Sequence, residues 1–319
     1  MRAIRHHAFG PADVLRLEQL PDPEPGAGQL RVAVEAAGVH LLDTSIRAGM
    51  SFPSTPLPEL PMVPGREVAG VVDRVGAGVD DAWVGRRVVA HLGPGARGGY
   101  AELTLVDAGR VYDVPDGLDA PTAVAAIGTG RTAAGILDHA AITADDVVVV
   151  TSAAGGLGAL LIQGARNAGA RTVGLAGGAK LDLVRGFGAD TAVDYRDPEW
   201  LDVLRAAEPR LTLLLDGVGG KVPRALHGLL EPGGRMVRFS GDTEGYDAPD
   251  RRIVDVLGPV MLSRLAEFEQ QALAAAADGS RVPHVGTTVP LADAAAAHRA
   301  LEDRTSVGKV VLLVDRTGG

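Results

Sequence analysis

The sequence predicts an α/β protein built on a doubly wound parallel sheet, with β-rich segments before and after it in the chain. Three observations carry this. Residues 147–151 (VVVVT) form a continuous β-branched run, the pattern of a strand covered on both faces. A turn of small residues, Ser152 to Gly158, leads into a helix-period segment through Leu160, Leu161, Ala165 and Ala168. From Pro121 to Phe239 strand and helix patterns then alternate, as parallel βαβ units require.

The turn carries the spacing Ala153-x-Gly155-x-x-Gly158, a dinucleotide fingerprint with alanine in the first glycine's place. Gly155 lets the backbone approach a pyrophosphate, and Gly158 lets the helix pack closely on the strand. The helix N-terminus offers unpaired N–H groups to the anion. The same glycines would serve a tight turn that binds nothing. The complete strand–turn–helix–strand setting, closed by a second strand at Thr172 to Leu175, favours the nucleotide.

In chain order, residues 1–122 give strand candidates at Leu15–Leu20, Leu30–Ala36, Val68–Val75 and Arg87–Leu92. Leu30, Val32, Val34 and Ala36 alternate with period two, the signature of a half-buried strand. Pro53, Pro56, Pro58, Pro61 and Pro64 make the segment between them a loop, since proline supplies no backbone donor. Beyond Leu175, further strands are expected at Thr191–Val193, Leu211–Leu215 and Arg235–Phe239, with helices starting near Ala179, Pro198 and Lys221. One long helix over Pro259–Ala277, a strand at Thr287–Pro290, a helix at Leu291–Leu301 and a strand at Lys309–Val314 read as a return to the first unit. The boundaries are placed at 1–122, 123–260 and 261–319.

Composition excludes several classes. The net charge of −9 and pI near 5.4 disfavour a nucleic-acid or anionic-membrane surface. With no cysteine there is no disulfide, no thiolate ligand and no cysteine nucleophile. The N-terminus MRAIRHHAFG has no apolar signal core, and no run of about 18 apolar residues occurs, so a cytoplasmic protein is expected.

Several short motifs, in order, carry a family resemblance. They are Ala37-Gly38-Val39 leading to Asp43, Pro64-Gly65-Arg66-Glu67-Val68-Ala69-Gly70, and Gly99-Tyr100-Ala101-Glu102. Thr129-Gly130-Arg131-Thr132-Ala133, the glycine turn, and Gly308-Lys309-Val310-Val311 complete the set. The chain resembles the zinc-independent, zeta-crystallin-like quinone oxidoreductase branch of the medium-chain dehydrogenase/reductase superfamily. The resemblance implies a Rossmann nucleotide domain inserted in a GroES-like catalytic domain formed by both chain ends, with the active site in a cleft between them. It also implies a homodimer paired through edge strands, for which Arg251–Leu257 is the candidate.

The places of the zinc ligands in zinc-dependent relatives hold His40, Arg66 and a small residue near Ala126. One imidazole beside a fixed cation cannot supply the three protein ligands that a catalytic zinc needs, so no metal is expected. Glu67 is read as an ion-pair partner for a neighbouring arginine. Without a Lewis acid, the reaction implied is hydride transfer from NADPH to a quinone or other conjugated carbonyl, which delocalises the incoming charge itself. An enoyl-thioester reductase on the same scaffold, or an NADPH-binding protein without activity, are the alternatives.

Among candidate catalytic residues, His40 is either a proton donor or a polar lining residue. Asp43 is either catalytic or a brace for the following helix. Arg131 stands where relatives have an apolar residue and would favour an anionic substrate. Asn and two Tyr usual in the family are replaced by His40, Ser45 and Ser51. His6, His7, His91 and His298 show no partner pattern. Along the cofactor, the resemblance implies contacts from Thr129, Ser152, Gly155, Gly156, Leu157, Gly177, Gly217, Val218, Phe239 and Ser240. For the coenzyme's 2′-phosphate, the region about 20 residues past the fingerprint offers Gly177, Gly178 and Lys180 and no carboxylate before Asp182. In the family such a lysine works with a tyrosine further on, here Tyr195. NADPH is therefore expected over NADH.

Overall fold

The computed structural model describes residues 1–51, 56–93, 98–240, 245–246, 250–256 and 258–315. Pro53 of the proline-rich loop and Leu257 of the proposed edge segment lie outside them.

The first segment contains β1 (Arg2–Arg5), β2 (Arg16–Gln19), β3 (Gln29–Val39), helix α1 (Leu41–Arg47), β4 (Glu67–Val75), β5 (Arg87–His91), β6 (Leu103–Asp107), β7 (Val111–Asp113) and α2 (Ala120–Ala125). Next come α3 (Arg131–Ala140), β8 (Val147–Val150), α4 (Gly156–Asn167), β9 (Arg171–Ala176), α5 (Leu181–Gly186), β10 (Thr191–Asp194), α6 (Trp200–Ala207) and β11 (Leu213–Asp216). The chain continues through α7 (Lys221–Leu229), β12 (Arg235–Arg238), β13 (Arg252–Asp255), α8 (Pro259–Ser263) and α9 (Leu265–Ala277). It closes with β14 (Val285–Pro290), α10 (Ala294–Glu302) and β15 (Lys309–Leu313).

Two compact units result, Met1–Gly128 with His284–Gly319, and Thr129–Pro283. The expected breaks at 122/123 and 260/261 therefore move to Gly128 and Pro283. The second shift has a packing cause. Helix α9 belongs to the middle unit because Phe268 lies against Gly135 of α3, Arg131 pairs with Glu269, and Arg264 pairs with Asp138. The same arginine breaks the single helix expected over Pro259–Ala277. Arg264 sits at φ −109°, ψ 14°, outside the helical well, and separates α8 from α9.

In the first unit β3 is the spine. It pairs antiparallel with β4, with β6 and, at its C-terminal end, with β15, whose other edge holds β14 in parallel. The alternation at Leu30–Ala36 predicted a half-buried strand, but β3 is buried along nearly its whole length, Glu35 being the exposed exception. Arg31 tolerates that burial because Asp73 accepts its Nε and Nη2 at 2.9 and 3.0 Å. Strands β1, β6 and β7 were not expected; at three to five residues they are too short to show a period.

The middle unit is a six-stranded, all-parallel sheet in the order β10-β9-β8-β11-β12-β13, the doubly wound arrangement the sequence predicts. Its strands carry an apolar core that includes Val149, Val173, Leu175, Val193, Leu214 and Met236. The sixth strand, β13, falls at the edge where Arg251–Leu257 was expected.

Candidate functional site

In the first unit the site residues gather where β3 turns into α1. His40 is the N-cap of α1, and Asp43 three residues on accepts the backbone N–H of His40 at 2.9 Å in a reciprocal capping box. Asp43 thus braces the helix. It also takes Arg66 Nε at 2.9 Å and the Tyr100 hydroxyl at 3.3 Å. Burial opposes its ionisation, yet Arg66 and His40 outweigh that and hold Asp43 below the usual carboxylate range. The Tyr100 hydroxyl is also 3.3 Å from His298 Nε2, and burial lowers His298 to about 4, so the imidazole is neutral.

Glu67 opens β4 and is fully buried. Its Oε1 lies 2.8 Å from His40 Nε2 and 2.6 Å from Lys309 Nζ. A Cβ on either Gly38 or Gly128 would collide with this carboxylate, so small residues there are what admit it. Burial would keep Glu67 neutral, but His40 and Lys309 pull it far below its usual range. The expectation of an arginine partner is thereby corrected. Arg66, the neighbour in sequence, points to Asp43, and the cation on Glu67 comes from β15 at the other end of the chain.

His40 is correspondingly committed. Its Nε2 is 3.1 Å from Lys309 Nζ as well as facing Glu67. Burial lowers its pKa by more than Glu67 raises it, so the ring is neutral near pH 7. The slot beside His40 and Glu67 is filled by an ammonium, a group with three donors and no lone pair for a metal. Among the described residues, no group of three or more His, Asp and Glu side chains is arranged to hold one.

Arg131 has a carboxylate partner of its own. In the middle unit its Nη1 lies 3.1 Å from Glu269 Oε1, both side chains being nearly buried, so its charge is cancelled by a carboxylate on α9. Ser45 donates to the Leu41 carbonyl at 3.2 Å, a turn of its own helix away. His6, His91 and His298 are buried, whereas His7 is exposed and meets Glu18.

The fingerprint turn leaves β8 through Ser152, at φ 52°, whose carbonyl accepts the N–H of Gly155 at 3.0 Å. Gly155 is the N-cap of α4, with Gly156 and Leu157 in its first turn, and among the described residues no side chain makes a capping hydrogen bond there. A Cβ on Gly158 would strike the backbone of Ser152 and Ala153, so helix and strand approach as closely as the spacing predicts. An uncapped twelve-residue helix behind a glycine turn fits a pyrophosphate.

At the tip of β9, Gly177 is followed by a 3₁₀ turn over Gly178–Lys180, and Tyr195 follows β10. Sequence reasoning missed Arg196. Its guanidinium carbon comes within 3.1 Å of where a Cβ on Gly177 would sit, and it lies 5.8 Å from the Tyr195 ring centroid. The signal available was the basic neighbour of Tyr195. At the end of β11, buried Asp216 accepts the N–H groups of Val218 and Gly219 and the hydroxyls of Thr151 and Ser240. Ser240 is therefore a brace for the Gly217–Val218 loop, against which the Phe239 ring packs. Thr129 lies in the turn over Ala126–Gly130.

Comparisons with known proteins agree with this geometry. Residues 26–116 match the alcohol dehydrogenase GroES-like domain, and residues 187–312 match the zinc-binding dehydrogenase domain. The chain is 32% identical over 333 residues to a 2-haloacrylate reductase from a Burkholderia species, covering 98% of each. It is 31% identical over 331 residues to the quinone oxidoreductase of Sus scrofa, again covering 98% of each. The Escherichia coli quinone oxidoreductase solved with NADPH superposes with a TM-score of 0.85 at 26% identity, over 98% of this chain and 100% of the other. A fold of this topology and a nucleotide turn of this form define a pyridine-nucleotide oxidoreductase. The chain belongs to the medium-chain dehydrogenase/reductase superfamily.

Proposed function

We propose that the protein is a zinc-independent reductase that passes a hydride from NADPH to a quinone or other conjugated carbonyl acceptor. The observation that carries the reading is the Lys309 ammonium held against Glu67 and against His40, which by the resemblance stands in the place of a zinc ligand of zinc-dependent relatives. An alcohol substrate would have no Lewis acid to stabilise its alkoxide there. A conjugated acceptor needs none. The 2-haloacrylate and quinone activities named for the relatives both involve such acceptors.

The residues fit the coenzyme at two places, the uncapped N-terminus of α4 and the glycine tip of β9 with Lys180 and Tyr195 near it. NADPH, when bound, supplies the hydride. The uncapped α4 terminus takes the pyrophosphate, and the cations at the tip of β9 take the 2′-phosphate. Asp216 holds the Gly217–Val218 loop in one conformation. The hydride carries both electrons, and the proton that completes the hydroquinone comes from solvent, since His40 Nε2 is engaged by Glu67 and Lys309.

We place the protein in the cytoplasm; among the described residues no helix is long and apolar enough to cross a membrane. It pairs as a homodimer through the open edge of β13. Light scattering at micromolar concentration should give twice the chain mass, and a monomer would overturn the pairing. The activity itself is tested by NADPH oxidation across quinones, enones and enoyl-thioesters, with and without a chelator. Quinone or enone turnover indifferent to the chelator is expected. Turnover that requires added zinc would refute the metal-free reading.

A further inference from the structure

Resting on the reductase reading above, we propose that the acceptor is uncharged: a quinone, enone or unsaturated ester, and not a carboxylate-bearing alkene such as the haloacrylate named for the Burkholderia relative. The argument is a balance of charge at the candidate catalytic residues.

A carboxylate leaving water for a protein site loses several kcal/mol of hydration unless a cation with unspent charge receives it. Three cations among the described candidate residues, two in the first unit and one in the middle unit, already have their own carboxylates. Lys309 is 2.6 Å from Glu67, and Arg66 is 2.9 Å from Asp43. Arg131, the residue whose type most suggests an anionic substrate, is 3.1 Å from Glu269. His40 adds no charge, its ring being neutral.

What remains on offer suits a neutral oxygen. Among the described residues Arg66 Nη2 is buried without a partner, a spare N–H on a cation that Asp43 has cancelled. Such a donor can meet a carbonyl or a water at little cost, but it brings no net charge to hold an anion. Two apolar side chains near the start and end of α1 are exposed, Leu41 at 59% and Met50 at 51%. The chain as a whole carries a charge of −9, which opposes the approach of an anion.

The test compares matched acceptors at saturating NADPH: methyl 2-chloroacrylate against 2-chloroacrylate, and 1,4-naphthoquinone against its 2-sulfonate. For each pair kcat/KM is expected to be at least 100-fold higher for the neutral member. A charged member used as well as its neutral partner would overturn this inference and leave the reductase reading intact. No NADPH oxidation with any neutral acceptor, coenzyme binding being verified by fluorescence, would instead overturn the reductase reading. Glu67→Gln sharpens the result by uncovering the Lys309 charge. The neutral-to-anion ratio should fall at least tenfold. An unchanged ratio in a folded Glu67→Gln protein would remove the electrostatic basis of the proposal. The wild-type comparison stands even if that variant does not fold.

Discussion

The fingerprint turn and the His40 corner are built in opposite ways. Around Gly155 and Gly158 the backbone does the work, within one local stretch, and the groups on offer are peptide N–H groups. At the corner three side chains from residues 40, 67 and 309 meet, two of them charged and buried, and the backbone only delivers them. The first is tolerant of side-chain chemistry and intolerant of side-chain volume. The second is the reverse, because an ion removed from a buried pair leaves its partner without compensation.

The largest effect expected from this contrast is on stability. Lys309→Met should cost about 3–5 kcal/mol, the usual penalty for stranding a buried carboxylate. Lys309→Met combined with Glu67→Leu should recover part of it, as read by denaturant unfolding. A single variant as stable as the wild type would show that Glu67 is not ionised in the folded protein.

Acid should separate the units next. His298 is lowered to about 4 by burial, and His40 and His6 are lowered as well, all in the first unit. Below pH 6.5 their unfolded forms take up protons that the folded forms refuse, so the unit loses stability as the pH falls from about 6.5 toward 4. For His298 alone the shift corresponds to about 3 kcal/mol. In the middle unit burial is outweighed at Asp146 by Arg235 and by its hydrogen bonds, which hold it near 2. Its contribution is present above pH 4 and lost only as the pH falls toward 2. Burial lowers His227 there as well. Hydrogen exchange across a pH series should show the first unit opening at the higher pH. Simultaneous opening of both units would contradict this.

Much of the middle unit was legible because its information is local. A β-branched run, glycines at fixed spacing and a 3.6-residue period all lie within about thirty residues of one another. The parallel pairing of its strands follows from that repetition. The corner was not legible in the same way. His40, Glu67 and Asp43 were identified as residues of interest, but no spacing rule links Glu67 to Lys309, and the neighbouring Arg66 was the obvious and incorrect partner. Glu269 was invisible to Arg131 for the same reason.

Coenzyme choice tests the tip of β9, where both kinds of construction meet. Lys180→Ala should weaken NADPH binding by about 10- to 150-fold, the worth of a charge-assisted hydrogen bond of about 1.5–3 kcal/mol, and leave NADH nearly unchanged. Calorimetric titration of the two coenzymes decides it, and equal losses for both would exclude a 2′-phosphate contact.

The smallest effect is expected at His40. With Nε2 engaged inward, His40→Ala should lower kcat less than about tenfold, while a dedicated proton donor contributes about 10²–10⁴-fold. A loss within that higher range, with coenzyme affinity unchanged, would make His40 the acid.

Strand β15 sits between β3 and β14, yet it follows the whole of the middle unit in the chain. A ribosome adding about 5–20 residues per second has already synthesised all of Thr129–Pro283 when it reaches Lys309. The nucleotide unit can therefore close while the chain is still growing. The first unit must wait, with Glu67 lacking its ammonium partner and one edge of β3 open, until β15 arrives carrying both the backbone ladder and the neutralising charge. Truncation just before Lys309 should leave a nascent chain with one folded half and one that a chaperone must shelter.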